Sequence, residues 1–262
     1  MAAPIPGPLK IALAGLPLGD VRYFQSIDST NSYCLHWAGD EAADLSLAVA
    51  DHQSAGRGRV ERKWVTNPGS ALAFSLILRP AGSEPDCLPF FSPLGAVAIR
   101  TALEHLYNLQ AEIKWPNDVL VARKKLAGIL VENLWHGAVL QATIIGIGVN
   151  ITPEALPPPA ELLFPATCVV TEAGRPVDRW QVLAGILKAL VAWRARLSSS
   201  EFLEEWSSHL AFRGEQVCIS SSLKPDLVGR MNGIGPGGDL MIVTDDGTCH
   251  AITVGDVRLR AV

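Results

Sequence analysis

Cysteine, charge and long apolar runs are all scarce in this 262-residue chain, and each scarcity removes a class of function. The five cysteines, Cys34, Cys87, Cys168, Cys218 and Cys249, are odd in number, widely spaced and never in a C-x-x-C pair. That excludes a disulfide scaffold, a thiolate zinc site and thioredoxin-type exchange, and predicts reduced thiols in a cytoplasmic protein. Charged residues make up 18%, with 22 basic against 26 acidic and a net charge of −4, so no global field draws the chain to nucleic acid or anionic lipid. Anion binding must be local. No stretch approaches the roughly 20 apolar residues of a membrane span. Neither G-x-x-x-x-G-K-[ST] nor a strand-to-helix G-x-G-x-x-G occurs, which removes the P-loop and the dinucleotide fingerprint. What is present is hydrophobic residues at 48%, enough for a substantial folded core.

Residues 1–20 carry four prolines and three glycines and are expected to be a leading arm. From Val21 a larger unit begins. Asp28 or Ser29 is a good N-cap for a helix ending at Gly39. Leu45–Ala50 and Ala71–Leu78 read as apolar strands flanking a polar, glycine-containing loop over 53–70. Leu94, Val97, Ala98, Leu103 and Leu106 recur near the helical period, predicting a helix over Pro93–Asn108. Strands follow at Ala111–Trp115, Lys125–Glu132 and Val139–Ile151, with turns at Asn117-Asp118 and Trp135-His136-Gly137, so antiparallel pairing is expected. After a proline-rich loop over Thr152–Pro165, Val182, Ile186, Leu190, Trp193 and Leu197 mark an amphipathic helix and Glu201–Leu210 another. From Gly214 short alternating runs separated by glycines predict a small β-barrel. The expected organisation is an arm over 1–20, a catalytic unit over 21–213 and a barrel over 214–262.

Chemistry concentrates in four segments. Gln53-Ser-Ala-Gly-Arg-Gly-Arg-Val-Glu-Arg-Lys-Trp64 packs Arg57, Arg59, Arg62 and Lys63 within seven residues of loop. Gly56 and Gly58 permit close approach to a ligand, and guanidinium forks suit carboxylate and phosphate oxygens, although a basic loop can also be merely solvated. Lys114-Trp-Pro-Asn-Asp118 offers a cation, an aromatic, an amide and a carboxylate at a strand end; it can bind nucleotide, metal or amine, or be an Asn-Asp turn with Trp115 in the core. Lys125-Leu-Ala-Gly-Ile-Leu-Val-Glu132 is an apolar strand opened by Gly128. Gly146-Ile-Gly-Val-Asn150 puts two glycines on one face, because positions two apart share a side. No spacing suits a protein metal site, and none is expected. His52 reads as scaffolding.

Taken in order, Asp28-Ser-Thr-Asn31, Gly56-Arg-Gly-Arg59 with Trp64, Lys114-Trp-Pro-Asn-Asp118, Lys125-Leu-Ala-Gly-Ile-Leu130 and Gly146-x-Gly-x-Asn150, with a weaker match at Gly255-Asp-Val257 and Arg258, strongly resemble the biotin protein ligases, in the monofunctional form without an N-terminal DNA-binding domain. The resemblance implies an α+β fold: a class II aminoacyl-tRNA synthetase-like mixed, mainly antiparallel sheet with flanking helices, plus a C-terminal SH3-like β-barrel. It implies activation of biotin with ATP to biotinyl-5′-AMP and transfer to one acceptor lysine. Ser29, Thr30 and Gln53, in the turn with Asn31, would bond the ureido ring, with Gly128 and Gly146 walling its apolar body and Gly148 on the same strand. Arg57 and Arg59, carried by Gly56 and Gly58, would close over carboxylate and phosphates. Lys125 would sit at the acyl phosphate, Trp64 on adenine, and Asn117 and Asn150 on the nucleoside. The catalytic set is Lys125, Arg59 and Asp118, the last orienting or deprotonating the acceptor lysine, with a metal or structural role as its alternative. Mg²⁺ would accompany ATP.

The implied partner is a biotin carboxyl carrier protein or domain; a homodimer is allowed, and neither DNA nor a membrane is expected. Lipoate-type ligation and a non-catalytic biotin- or adenylate-binding regulator are the rival readings. Glu61 departs from the family loop, where a third glycine is usual, so positive φ there would cost roughly 1 kcal/mol or more.

Overall fold

The computed structural model describes every residue except Met1, Val60, Glu61, Ser83, Pro159, Glu161, Leu163, 222–224, 254–256 and Val262. Glu61, Gly255 and Asp256, singled out above, therefore lie outside the described residues. The helices are α1 (Gly7–Leu13), α2 (Thr30–Gly39), α3 (Phe91–Tyr107), α4 (Val169–Ala173), α5 (Arg179–Arg194) and α6 (Ser200–Ser208). The strands are β1 (Val21–Phe24), β2 (Leu47–Ala50), β3 (Ala71–Leu78), β4 (Ala111–Lys114), β5 (Asp118–Val121), β6 (Lys124–His136), β7 (Val139–Asn150), β8 (Gln216–Ser221), β9 (Leu227–Ile234), β10 (Leu240–Val243), β11 (Cys249–Ile252) and β12 (Val257–Ala261).

The first seven strands form one sheet in the order β1-β2-β3-β7-β6-β5-β4. All its pairs are antiparallel except β1 with β2. Alternation along the central strands decides which helix covers which face. On β2, Leu47 and Val49 join the large core under α3 and α5, while the smaller Ala48 and Ala50 join Cys34 and Trp37 of α2 on the other side. Small residues on that face let α2 approach closely. Its N-terminus is fixed by Ser29, whose Oγ accepts from Ser32 N, and α5 and α6 start in the same way on Asp178 and Ser199.

The remaining strands form a second antiparallel sheet in the order β11-β10-β9-β8-β12. Val217, Ile219, Met231, Leu240 and Ile242 supply its buried side. Trp115 Nε1 donates to Gly238 O at 3.2 Å, joining the two sheets.

The structure refines two local expectations and adds a hairpin. The arm over 1–20 contains α1, whose Leu9 is fully buried; Leu9 and Leu13 lie four residues apart and form one apolar face. Asn117-Asp118 is not the turn: the chain reverses over Trp115–Asn117 and Asp118 begins β5. A further hairpin, β5 to β6, turns on Ala122 and Arg123, both at positive φ (49° and 62°), a conformation that neither residue type signals.

Candidate active site

The glycines of β6 and β7 meet across the sheet: Gly128 pairs with Gly148, and Gly146 with Leu130. All three glycines point to the face that carries α2. Two side chains lie against this strip. A Cβ at Gly146 would overlap Asn31 Oδ1 and stand 2.7 Å from Asn31 Cγ. A Cβ at Gly148 would stand 2.6 Å from Trp64 Cζ2 and Nε1, and one at Gly128 would meet Trp64 Cζ3 at 3.3 Å. Only glycine admits Asn31 and the indole this close to the backbone.

At one end of the strip the polar groups are buried and connected. Ser29, Thr30 and Asn31 are each under 5% exposed. Gln53 Oε1 accepts from Thr30 N at 2.8 Å and Thr30 Oγ1 at 3.0 Å. Ser75 Oγ, fully buried, lies 2.7 Å from Thr30 Oγ1 and 2.6 Å from Asn31 Oδ1. Asn31 Nδ2 donates to Leu130 O and to Glu132 Oε2. Gln53 is held beside α2 because Ser54 N and Ala55 N donate to Ile27 O and Asp28 O. Its Oε1 is saturated by Thr30, which leaves the Nε2 hydrogens as donors.

The basic loop folds back on itself. Gly58 N donates to Arg62 O at 2.6 Å and Trp64 N to Gly56 O at 2.8 Å. Gly56 is needed here, since a Cβ would run into Trp64 O and stand 3.0 Å from Gln53 Nε2. Arg57 makes a two-pronged pair with Glu132, Nη1 to Oε1 at 2.9 Å and Nη2 to Oε2 at 2.7 Å. Arg59 instead lines a cavity of about 320 Å³ with Ser92, Trp115, Asn117, Ile129 and Val131. Ile129 and Val131 face the side of β6 opposite to Gly128 and Glu132, so the two loop arginines reach opposite faces of one strand.

At the other end, Lys125 Nζ lies 2.6 Å from Asp118 Oδ1 without hydrogen-bond alignment, and 5.8 Å from the centre of the Trp64 ring. A cation and a carboxylate paired beside an aromatic can stabilise a developing negative charge and orient an amine. Asn117 and Asn150 each give one amide hydrogen to the fold, Asn117 Nδ2 donating to Ile129 O at 2.9 Å and Asn150 Nδ2 to Thr167 O at 3.1 Å, which leaves the second hydrogen and Oδ1 of each. His52 Nδ1 lies 2.8 Å from Thr66 O, the scaffolding role its position suggested. Among the described residues no three of His, Cys, Asp and Glu converge as a metal site, and no helix is long and apolar enough to cross a membrane.

Sequence reasoning brought out the glycine strip, the Asp28–Asn31 turn and Lys125 with Asp118, but missed Glu132 and Ser75. Both carried a signal. Ser75 is the lone polar residue of β3 and Glu132 ends the apolar run Leu126–Val131 of β6, each at a position that alternation assigns to the α2 face.

Residues 23–150 match the biotin/lipoate A/B protein ligase family. The biotin–[acetyl-CoA-carboxylase] ligase of Paracoccus denitrificans is 34% identical over 224 residues, which is 82% of this chain and 90% of that protein. The chain belongs to this ligase family. The bifunctional ligase/repressor BirA of Bacillus subtilis is 38% identical over 165 residues, 63% of this chain, which spans about half of that relative's length. Among solved structures, the biotin protein ligase from Aquifex aeolicus in complex with biotin and ATP superposes with a TM-score of 0.80 at 28% identity, covering 93% of this chain and 99% of that one. The family matches a mixed α+β fold with a large, mainly antiparallel sheet and a second small sheet.

Proposed function

We propose that this chain is a biotin protein ligase acting in the cytoplasm, which joins biotin to ATP and then transfers it to a lysine of a biotin carboxyl carrier domain. The observation that carries this is the layout of the α2 face of the sheet. A buried hydrogen-bonding end, a backbone-lined strip and a Lys125–Asp118 pair follow one another, with Arg57 alongside. That is the order of polarity of biotin itself: a ureido ring, an apolar body and a carboxylate.

In this reading Gln53 Nε2, Ser29 and Thr30 hold the ring. The biotin carboxylate oxygen attacks the α-phosphorus, the bond to the β-phosphate breaks, and pyrophosphate leaves. Lys125 and Arg57 stabilise the charge that develops there, and Arg59 reaches the phosphates on leaving its cavity on the opposite face of β6. In the second step the acceptor amine attacks the acyl carbon and AMP departs, with Asp118 orienting the amine or taking its proton. The site's two carboxylates are each already paired with a cation, Asp118 with Lys125 and Glu132 with Arg57, a donor set that fits Mg²⁺ carried by the nucleotide rather than caged by protein. The ion would neutralise triphosphate charge. Trp64 stacks on adenine after leaving the glycine strip, and Asn117 and Asn150 shape the nucleoside end. The organisation proposed alongside is an arm over 1–20, a class II synthetase-like catalytic unit over 21–213 and an SH3-like barrel over 214–262, and a homodimer is allowed.

Incubation with ATP, Mg²⁺, biotin and a biotin carboxyl carrier domain should add a single biotin mass to the acceptor. Absence of transfer to a competent acceptor overturns the proposal, and transfer of lipoate instead of biotin would redirect it to the rival substrate.

A further inference from the structure

Arg57 is held by an acid that an anion-binding loop would be expected to avoid. A carboxylate beside incoming carboxylate and phosphate groups is repulsive, yet Glu132 takes both terminal nitrogens of Arg57, at 2.9 and 2.7 Å. Glu132 is itself fixed. Its Oε2 accepts from Asn31 Nδ2 at 2.8 Å, and Asn31, 4% exposed, is pinned by Leu130 O and Ser75 Oγ. Ser75 then reaches Thr30, which donates to Gln53. One hydrogen-bonded chain therefore runs from Arg57 to the ring-recognition end of the strip.

A guanidinium has five donors in a rigid plane, and Glu132 uses one from each Nη. Nε–H and the outer Nη hydrogens remain for a second anion, with the plane already set. Orienting a long side chain before ligand arrives removes part of its entropic cost on binding. We infer that Glu132 is a positioning residue: it presents Arg57 to the biotin carboxylate and α-phosphate and couples that cation to the buried ring-binding groups. This rests on the ligase reading above.

The test uses the full chain as wild type, Glu132→Gln, Arg57→Ala and the double variant. Biotin-dependent ATP–pyrophosphate exchange is measured across biotin concentrations. Glu132→Gln should raise the KM for biotin roughly tenfold to a hundredfold, the scale of misplacing one binding group, with a smaller change in kcat. In the Arg57→Ala background the same change should add nothing, because its effect passes through Arg57. Glu132→Asp, which keeps the charge but withdraws it by one methylene, should fall between wild type and Glu132→Gln.

A lower KM in Glu132→Gln would make the carboxylate a competitor of substrate and overturn the inference. An unchanged KM, or an equal further loss in the Arg57→Ala background, would do the same. A ligand-free arm separates this from the function itself. If Glu132 clamps Arg57, trypsin should cut Glu132→Gln faster than wild type at Arg62 and Lys63 with no substrate present, and equal cutting refutes the clamp. Wild type that shows no biotin-dependent exchange, while the trypsin difference persists, would refute the ligase reading and leave the clamp standing.

Discussion

Gly146 should be the least replaceable glycine of the strip, and the reason is what faces it. In Gly146→Ala the new methyl would overlap Asn31 Oδ1 and lie 2.7 Å from Asn31 Cγ, where ordinary contact is about 3.5–4 Å. Asn31 has no easy retreat, since Ser75, Leu130 O and Glu132 all hold its amide. Overpacking a rigid site costs about 1–3 kcal/mol, and each hydrogen bond broken in withdrawal adds about 1 kcal/mol. A loss of about 3 kcal/mol corresponds, for a chain of this size, to a fall of roughly 6–12 °C in melting temperature. Calorimetry on the purified variant measures it. Gly148→Ala meets the half-buried Trp64 ring, which sits at the end of a loop and can swing away, and Gly128→Ala meets only Trp64 and Lys125 atoms at 3.3 Å or more. The order of destabilisation should be Gly146, then Gly148, then Gly128. A Gly146→Ala variant melting within about 2 °C of wild type, or an inverted order, would refute the claim that Asn31 is locked.

Lys125→Ala should slow adenylate formation by roughly a hundredfold, the scale of losing one preorganised stabiliser, and purified biotinyl-AMP should rescue much of its transfer. Asp118→Asn should still form adenylate but transfer slowly, and a failure to release pyrophosphate that added adenylate cures would assign Asp118 to nucleotide or metal binding instead. Burial pushes the Cys34 thiol up to about 12, and burial with the hydrogen bond to Asp51 pushes Tyr23 up to about 12. Both folded values exceed the unfolded values of 9.0 and 10.0, so the unfolded chain loses these protons first. Their stabilisation is complete below about pH 9 and falls as pH rises toward 12. The urea midpoint should therefore decline over that window, and Cys34→Ala should flatten the decline; an unchanged slope would remove Cys34 as a cause.

The elements that could be read from the chain are those with their own local signal. Ser29 announces α2, and the apolar period announces α3 and α5. Glycines spaced by two announce one face of β7. What escaped reading lacked such signals. The turn at Ala122 and Arg123 adopts positive φ without glycine or asparagine, so β5 falls in the gap between the strands expected at Ala111–Trp115 and Lys125–Glu132. Leu9 and Leu13 sit among prolines and glycines whose loop character outweighs two apolar residues at helical spacing. In both places the surrounding structure overrides local preference.

The candidate site divides along the same line. Composition and spacing expose groups that act through their own chemistry, such as a guanidinium loop, a glycine strip, a lysine and a carboxylate. They do not expose which of these are already engaged, because the partners are distant: Arg57 and Glu132 are 75 residues apart, and Asn31 and Glu132 are 101. Arg57 and Arg59 look equivalent in sequence, yet β6 passes between their destinations: Arg57 joins the hydrogen-bonded chain that ends at Gln53, and Arg59 lines the cavity beside Ile129 and Val131. A loop cation tied to the buried polar end of the strip can respond to what occupies that end. The equivalence of the two arginines is thus broken by an acid four residues after Gly128, on the one strand both of them reach.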